Sequence, residues 1–415
     1  MNEADPNVIR IQEYDPSFLP ADTMTLTFGE QLWRTFGKYL SVEFPNPKTD
    51  MQWKLCSQGW VGHIPLSDEL VLYLVPKTSI GNLFRMLEWA YNLESFHIFE
   101  GLTSSSSLDD VYQRLAKILA RRVLDRGRKG LYREYQREKE RLPYLRGRVD
   151  MGRAMLRPWQ ATFPCRYEDH NADNEDNRIL AWTLFAIARS GICRGDSLSV
   201  VRQAFLQLRG AARVEPQLPK VCIGRFYNRL NNDYSPLHAL CRFFLEQMGP
   251  GHDWGERTMI PFLVNMGRLY ELFVARWLDH HLDETWRLKA QERVTFDENE
   301  ALRMNIDLVV EEADTDRVLC VIDTKYKVSD QAAKADIYEV VAYAEAKNCE
   351  KAFLVYPEPL IHPLDMEIGR IRIKSLVFGL SDDLDNQGQA FLDALYGELA
   401  TCQVQFMEDY DSTNY

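Results

Sequence analysis

The feature that most constrains the fold of this chain is an apolar run that carries two charges. The segment VLCVIDTKYKV, residues 318–328, is apolar enough for a buried strand, yet it contains Asp323 and Lys325. Side chains alternate between the two faces of a strand, so Asp323 and Lys325 point to the same side. Burying charges costs free energy unless they are paired or bind a metal ion. The segment is therefore either a strand end with an ion pair or a functional site.

A second strand-like segment lies just before it, in LRMNIDLVVEE, and the turn EADTD at 312–316 separates the two. A hairpin of these strands would bring Asp307 and Asp323 to one face. Two such carboxylates raise each other's pKa unless a cation lies between them. Carboxylate oxygens suit Mg²⁺ or Mn²⁺ rather than zinc, and a nearby lysine can orient a water molecule or stabilise phosphate charge. The alternative is a surface ion pair, which is worth about 0–1 kcal/mol.

The hydrophobic pattern divides the chain into three parts. Residues 1–105 predict a mixed, β-rich N-terminal module that ends at the serine-rich stretch GLTSSSSLDD. Residues 106–250 predict a largely helical middle region. Residues 251–415 predict a helix, three strands, a helix and a strand, which is an α/β layered domain. We expect its opening segment, MIPFLVNMGRLYELFVARWLDHHL, to be one long helix.

Charge is unevenly distributed along the chain. The formal net charge of −12 argues against a protein whose whole surface binds nucleic acid. The stretch 121–148, in contrast, has eleven Lys or Arg residues against four Asp or Glu residues. It could bind phosphates, or it could be a solvated helix face with Glu–Arg pairs, as in REYQREKER. The sequence leaves both interpretations open.

Several classes of protein are excluded. The sequence has no apolar run of about 18 residues, so no transmembrane helix and no membrane association are expected. None of the eight cysteines forms a CxxC pair, and His280 and His281 are neighbours that cannot share one helix face, so zinc sites are not expected. The absence of a GxxxxGK[ST] loop excludes P-loop nucleotide hydrolysis. We expect a cytoplasmic protein with reduced cysteines.

Several segments, in this order, resemble the McrC family, the nuclease subunits of McrBC-type modification-dependent restriction systems. The likeness covers roughly residues 50–380 and does not extend to residues 1–50, whose role stays open. The segments that carry it are LYLVPKTSIGNLFRML, GLYREYQREKERLPYLRGRVDM, CRYEDHNADNEDNRILAWTLFAI, RLNNDYSPLHAL, FLVNMGRLYELFV, MNIDLVV, VIDTKYK and DIYEVVAYAEA. The resemblance implies that residues 251–415 have the PD-(D/E)xK nuclease fold.

The resemblance also assigns roles to individual residues. Asp307 and Asp323 would be metal ligands, Lys325 would be the catalytic lysine, and Glu271 would complete the metal site, although an ordinary surface glutamate is the alternative. The proline that names the motif is Ile306 here, which affects strand geometry and removes no ligand.

The helix after the two strands carries a further group of candidates. Glu339 stands where many relatives have a glutamine, which leaves its role in positioning DNA or metal open. Tyr338 and Tyr343 match the paired aromatic residues of this helix and are candidates for supporting the site.

The implied function is that of a Mg²⁺-dependent endonuclease subunit, with Mn²⁺ as a possible substitute. It would belong to a hetero-oligomer, dock on a McrB-like AAA+ GTPase ring through its N-terminal half, stimulate that ring and cut modified double-stranded DNA. Two alternatives remain: a stand-alone PD-(D/E)xK nuclease of DNA repair, and a non-catalytic activator of a AAA+ partner.

Overall fold

The protein is a mixed α/β chain. The computed structural model describes residues 8–65, 71–91, 108–191, 193–248, 252–254, 257–259, 262–295, 303–327, 329–381 and 383–412. Its α-helices are α1 Leu26–Phe36, α2 Ile80–Tyr91, α3 Leu108–Lys129, α4 Met151–Leu156, α5 Glu175–Arg189, α6 Gly195–Arg209, α7 Tyr234–Gln247, α8 Met266–His281, α9 Lys334–Ala346 and α10 Leu384–Ser412. Short 3₁₀ helices span Ala21–Thr23, Pro47–Thr49 and Pro219–Cys222.

The strands form five sheets. They are β1 Val8–Gln12, β2 Ser17–Leu19, β3 Leu40–Glu43, β4 Trp53–Ser57, β5 Trp60–Pro65, β6 Val71–Val75, β7 Glu134–Leu142, β8 Arg148–Val149, β9 Phe163–Asn171, β10 His252–Trp254, β11 Arg257–Met259, β12 Phe262–Asn265, β13 Trp286–Thr295, β14 Arg303–Glu312, β15 Val318–Thr324, β16 Lys351–Tyr356, β17 Asp365–Ile368 and β18 Ile371–Val377. The sheet orders are β1-β6-β5-β12, β2-β4-β3, β7-β9-β8, β10-β11 and β13-β14-β15-β16-β18-β17.

The chain divides into two compact units, and the first of them is discontinuous in sequence. Unit 1 contains residues 1–106 together with 263–415, and unit 2 contains residues 107–262. The division expected from the sequence, 1–105, 106–250 and 251–415, differs in its second boundary, which lies at residue 262 instead of 250, and in the number of units. Its first and third parts belong to a single unit, because strand β12, just before α8, joins the N-terminal sheet beside β5.

The start of the third part corrects the expectation of one long helix. FLVN is strand β12, with Leu263 and Val264 buried, and α8 begins only at Met266. Asn265 sets this boundary, since its side-chain Oδ1 accepts a hydrogen bond from the Arg268 N–H at 2.9 Å. Leu263 packs into the apolar core of the N-terminal sheets, which surrounds the fully buried Trp53.

The six-stranded sheet of unit 1 is mixed. Strands β13, β14 and β15 are antiparallel, β15, β16 and β18 are parallel, and β17 runs antiparallel to β18 at the edge. Helix α9 makes the crossover from β15 to β16 and packs on both strands, while α8 contacts β13, β14 and β15. The order from α8 to β16 is helix, three strands, helix and strand.

Unit 2 combines the helices α3, α5, α6 and α7 with the sheet β7-β9-β8. The segment REYQREKER lies mainly in strand β7, so its interpretation as a solvated helix face was wrong. The reason is non-local, because β9 supplies a partner strand whose charges complement those of β7. Arg137 lies opposite Glu168, for example, and their side chains approach to 3.4 Å.

Many basic side chains of the stretch 121–148 have acidic partners within unit 2. The ion pairs are Arg126–Asp233, Arg128–Asp125, Arg137–Glu168 and Arg146–Asp169. This pairing reduces the positive charge that the stretch could offer to phosphates. Among the described residues, no helix is long and apolar enough to cross a membrane.

Buried polar side chains connect the start of α5 to α7. Asn177 is fully buried, its Nδ2 donates to the carbonyls of Tyr132 and Ala172, and its Oδ1 accepts from the Tyr234 hydroxyl at 2.8 Å. Asp176 accepts hydrogen bonds from Arg225 and Asn231. The NADNEDNRIL segment is therefore occupied in holding unit 2 together.

Candidate active site

The hairpin β14–β15 places Asp307 beside Asp323. Leu308 lies opposite Ile322, and continuing this antiparallel register puts the two aspartates opposite each other on one face. Thr324 fixes the Asp307 carboxylate, since its N–H and hydroxyl donate to Oδ2 at 2.9 and 3.0 Å. The short turn that closes the hairpin thus determines which two carboxylates meet.

Lys325 joins this pair to helix α9. Asp323 is only 2% exposed, and its Oδ2 lies 2.8 Å from the Lys325 Nζ. The same Nζ donates to Glu339 Oε2 at 2.9 Å, and the Tyr343 hydroxyl donates to Glu339 Oε1 at 2.9 Å. These contacts hold the ammonium group between a strand and a helix.

Glu271 reaches the site from α8. Its Oε1 accepts from Arg268 at 2.7 Å and also from the Gln291 side-chain amide. Gln291 has a φ of 55°, a left-handed conformation that is uncommon inside a strand, and the regular pairing of β13 with β14 skips it. This irregularity lies where Asp307 faces β13.

Burial dominates the electrostatics of the three carboxylates. It raises the pKa of Asp323 to about 7, and the neighbouring charge of Asp307 raises it further against the opposing effect of Lys325. Burial and the charge of Asp307 likewise raise the pKa of Glu271 to about 7. The pKa of Asp307 is also raised by burial, while its hydrogen bonds from Thr324 act in the other direction.

Lys325 behaves in the opposite sense. Burial disfavours its ammonium form, but Asp323 and Glu339 outweigh burial, so the pKa of Lys325 lies above its usual value. Burial acts to raise the pKa of Glu339, but the hydrogen bond and charge of Lys325 together with the hydrogen bond from Tyr343 outweigh it, so this pKa is lowered. Lys325 is therefore a fixed positive charge at neutral pH, suited to stabilising negative charge and unsuited to accepting a proton.

Comparison with known families identifies the family of the chain. The family described as McrBC 5-methylcytosine restriction system component matches residues 55–357 of the chain, which is well over half of it. The chain belongs to the McrBC family. This confirms the membership that the sequence motifs indicated. No curated protein matches the chain.

Among the solved structures that resemble the chain are two from Thermococcus gammatolerans. One belongs to a half-complex from a tetradecameric assembly of Thermococcus gammatolerans McrB AAA+ hexamers with bound McrC. It is 18% identical, has a TM-score of 0.55, and the match covers 94% of this chain and 100% of that one. A chain from the Thermococcus gammatolerans McrBC complex is 20% identical over 67% of this chain and 88% of its own, with a TM-score of 0.41. The first likeness shows a shared fold.

In this McrBC-family chain, the donor set fits a hard divalent cation in its chemistry. Asp323 is buried, Asp307 and Glu271 are half-buried, and their raised pKa values show that their charged forms lack sufficient compensation. Asp323 Oδ2 is also buried without a partner in hydrogen-bond geometry, although Lys325 contacts it. Among the described residues, however, no group of three His, Cys, Asp or Glu side chains is arranged to hold a metal ion. Instead, Asp323 forms an ion pair with Lys325, and Glu271 forms one with Arg268.

The structure brings together most of the residues that the sequence singled out, and it adds three. Tyr338 is 67% exposed, and the contact with Glu339 comes from Tyr343 instead. Thr324, Arg268 and Gln291 were missed. Thr324 was detectable, since it stands between Asp323 and Lys325, and so was Arg268, which lies three residues before Glu271 on one helix. No local signal in the sequence marks Gln291 as a partner of Glu271.

Proposed function

We propose that this chain is the Mg²⁺-dependent DNA endonuclease subunit of a McrBC-like restriction system, with a PD-(D/E)xK nuclease domain. The observation that carries the proposal is the pair of the half-buried Asp307 and the buried Asp323 with Lys325 beside it, in a chain of the McrBC family. Carboxylates that face each other away from solvent lower the stability of a fold. Such a pair next to a fixed ammonium is typical of a site for metal-assisted phosphodiester hydrolysis.

Each side chain of the candidate site would have a distinct role in hydrolysis. Asp307 and Asp323, with Glu271, would hold Mg²⁺, which supplies a polarised phosphate oxygen and a more acidic bound water. Lys325 places its charge where negative charge develops on the phosphate. Glu339 gives Lys325 a second anchor besides Asp323, at 2.9 Å, and Tyr343 fixes Glu339 in turn. One such site cuts one strand, so a double-strand break requires two copies or two successive cuts.

The partner of this subunit would be a McrB-like AAA+ GTPase ring. The solved structure with the shared fold comes from an assembly of McrB AAA+ hexamers with bound McrC, which supports this choice. The ring would select modified double-stranded DNA, and the bound subunit would stimulate its nucleotide hydrolysis. DNA affinity would come largely from the partner, since the chain has a net charge of −12 and pairs many of its basic residues.

A second candidate is a non-catalytic activator of the same kind of ring. One observation favours it: the charges of Asp323 and Glu271 are met by Lys325 and Arg268, as expected of a purely structural ion-pair cluster. A stand-alone repair nuclease is the third possibility, and it differs by needing no partner.

Plasmid cleavage in Mg²⁺ separates the three. Wild type and Lys325→Ala are each incubated with modified or unmodified DNA, with and without the ring protein and GTP. Cleavage that needs the ring and modified DNA, and is lost in Lys325→Ala, is the expected result. Cleavage by the chain alone would favour the repair nuclease. Stimulated GTP hydrolysis without any cleavage, equal in both variants, would favour the activator.

A further inference from the structure

The residue that follows Lys325 is held by two consecutive residues from the other end of the sequence. The Tyr14 hydroxyl donates to the Tyr326 carbonyl at 3.1 Å, and the Tyr326 hydroxyl donates to Glu13 Oε2 at 3.3 Å. These two hydrogen bonds hold both the backbone and the side chain of Tyr326. We call Glu13, Tyr14 and Tyr326 the tyrosine clamp.

Glu13 is an expensive residue in this position. It is fully buried, and its Oε1 has no hydrogen-bond partner among the described residues. Burial raises the pKa of this carboxyl to about 7. Its backbone is fixed, since its N–H donates to the Val75 carbonyl at 2.9 Å. A buried carboxyl with one oxygen that lacks a hydrogen bond destabilises the fold, so its presence indicates a role besides stability.

Tyr14 adopts an unfavourable backbone conformation that directs its side chain to the clamp. Its φ is 62°, in the left-handed region that aromatic residues rarely occupy. Its N–H donates to the Ser57 carbonyl at 3.0 Å, which holds the turn in place. Gly59 makes room for the ring, because a Cβ at that position would lie 2.5 Å from the Tyr14 hydroxyl. The N-terminal module is thus shaped to present this hydroxyl to Tyr326.

The clamp borders a cavity and is not embedded in solid core. The cavity has a volume of about 230 Å³, and Glu13, Tyr14, Lys77, Tyr326 and Lys327 are among its lining residues. On the other side, the Lys325 N–H donates to the Val355 carbonyl of β16 at 2.8 Å. The end of β15 is therefore fixed by the sheet on one side and by the clamp on the other.

We propose that Tyr14 and Glu13 are positioning residues that act through Tyr326 to set the place of the Lys325 ammonium. This inference rests on the proposed nuclease function. The N-terminal module, through these two contacts, sets the geometry of a site to which it contributes no catalytic group. Small displacements of a charged catalytic group reduce turnover strongly, since a shift of about 1 Å can cost on the order of 100-fold.

The test uses three variants of the full chain in complex with its ring partner. Tyr14→Phe removes the hydrogen bond to the Tyr326 carbonyl, Tyr326→Phe removes the one to Glu13, and the double variant removes both. We expect each single variant to lower kcat for cleavage about tenfold with KM unchanged within about twofold. The double variant should lose less than the product of the single effects, because both hydrogen bonds act on one residue.

A matched control is Tyr39→Phe, a tyrosine of the same module that packs against the Trp60 ring. It should keep wild-type kcat. Melting temperatures and stimulation of GTP hydrolysis are measured on the same samples. If Tyr14→Phe and Tyr326→Phe lower the melting temperature but keep wild-type kcat well below it, the clamp is only structural and the inference fails.

The experiment also distinguishes a wrong positioning role for the clamp from a wrong nuclease function. Lys325→Ala is assayed in parallel. If it cleaves DNA as well as wild type, the proposed function is wrong. If it is inactive while both clamp variants turn over like wild type, the function stands and only the positioning role is overturned.

Discussion

At the scale of single residues, burial disfavours the charges of the site, and ion pairing favours them. Asp323 is 2% exposed and faces a second aspartate, so its charge is compensated mainly by Lys325 at 2.8 Å. Apolar residues of similar volume in these positions would make the fold more stable. The proposed nuclease function would account for the charged residues.

The first prediction concerns Lys325. Replacing it with alanine removes the fixed charge near the reacting phosphate, so cleavage should fall about 100- to 1,000-fold while binding to the ring is kept. The rate of plasmid cleavage and pull-down by the ring protein measure the two effects. Lys374→Ala is the matched control, since Lys374 pairs with Glu398 on α10 and should be dispensable for cleavage. Wild-type cleavage by Lys325→Ala would contradict the assignment.

A second prediction concerns metal binding without any assay of activity. Mg²⁺ at about 100 times its dissociation constant should stabilise the wild-type chain by about 2.7 kcal/mol, seen as a higher melting temperature. Asp323→Asn should lose most of this increase, because it removes a buried ligand. Asp365→Asn, at the exposed edge strand β17, should keep it. An equal response of all three proteins would show that Mg²⁺ binds elsewhere.

The sequence predicted the site as far as its signals were local. Asp307, Asp323 and Lys325 follow from strand alternation and a short turn, which are properties of one hairpin. Gln291 could not be predicted, because its contact with Glu271 depends on how α8 lies across β13. Arg268 could have been, since it lies three residues before Glu271 on the same helix. Tyr338 and Tyr343 were equivalent in sequence, and only the orientation of α9 separates them.

At the scale of elements, partner strands decided what the sequence left open. REYQREKER satisfies the charge spacing of a solvated helix, and FLVN continues the apolar pattern of α8. Both are strands because β9 and β5 provide hydrogen-bonding edges that no local pattern reports. The α8-to-β16 order was predictable, since its helices and strands have clear periods and turns.

An element-scale prediction concerns the junction of α5 and α7. Asn177→Ala removes its hydrogen bonds with the Tyr132 and Ala172 carbonyls and with the Tyr234 hydroxyl, each of which keeps one other partner. A hydrogen bond contributes roughly 0.5–1.5 kcal/mol, so we expect the loss of three to lower the free energy of unfolding by about 2 kcal/mol. Chemical denaturation measures it. Asn171→Ala, at a half-buried position, should cost less; equal losses would mean that the network contributes little.

At the scale of the whole molecule, Glu13 links stability to pH. Its pKa is raised from 4.5 to about 7 by burial, so the folded chain holds this proton more tightly than the unfolded chain. The stabilisation is complete below about pH 4.5 and is lost as pH rises through about 7. Glu13→Gln should therefore gain stability relative to wild type as pH rises from about 5.5 to 8.

Melting temperatures across this pH range measure the difference. The exposed Glu358, which lines the same cavity, supplies the control, and Glu358→Gln should follow the wild-type curve. A constant offset between Glu13→Gln and wild type at every pH would show that Glu13 does not titrate in this range.

Because unit 2 is inserted in the sequence of unit 1, neighbouring strands of one sheet are synthesised at different times. Strand β5 is synthesised early, but its neighbour β12 leaves the ribosome only after residues 107–262 have been added. Strand β5 ends at Pro65 and β12 begins at Phe262, so at about 5–20 residues per second the delay is roughly 10–40 s. During this interval the nascent chain exposes the edge of β5, which any other strand could pair with. Unit 2, being continuous in sequence, can fold during this interval. Strand β12 then completes a sheet whose other strands, β1, β5 and β6, were synthesised first.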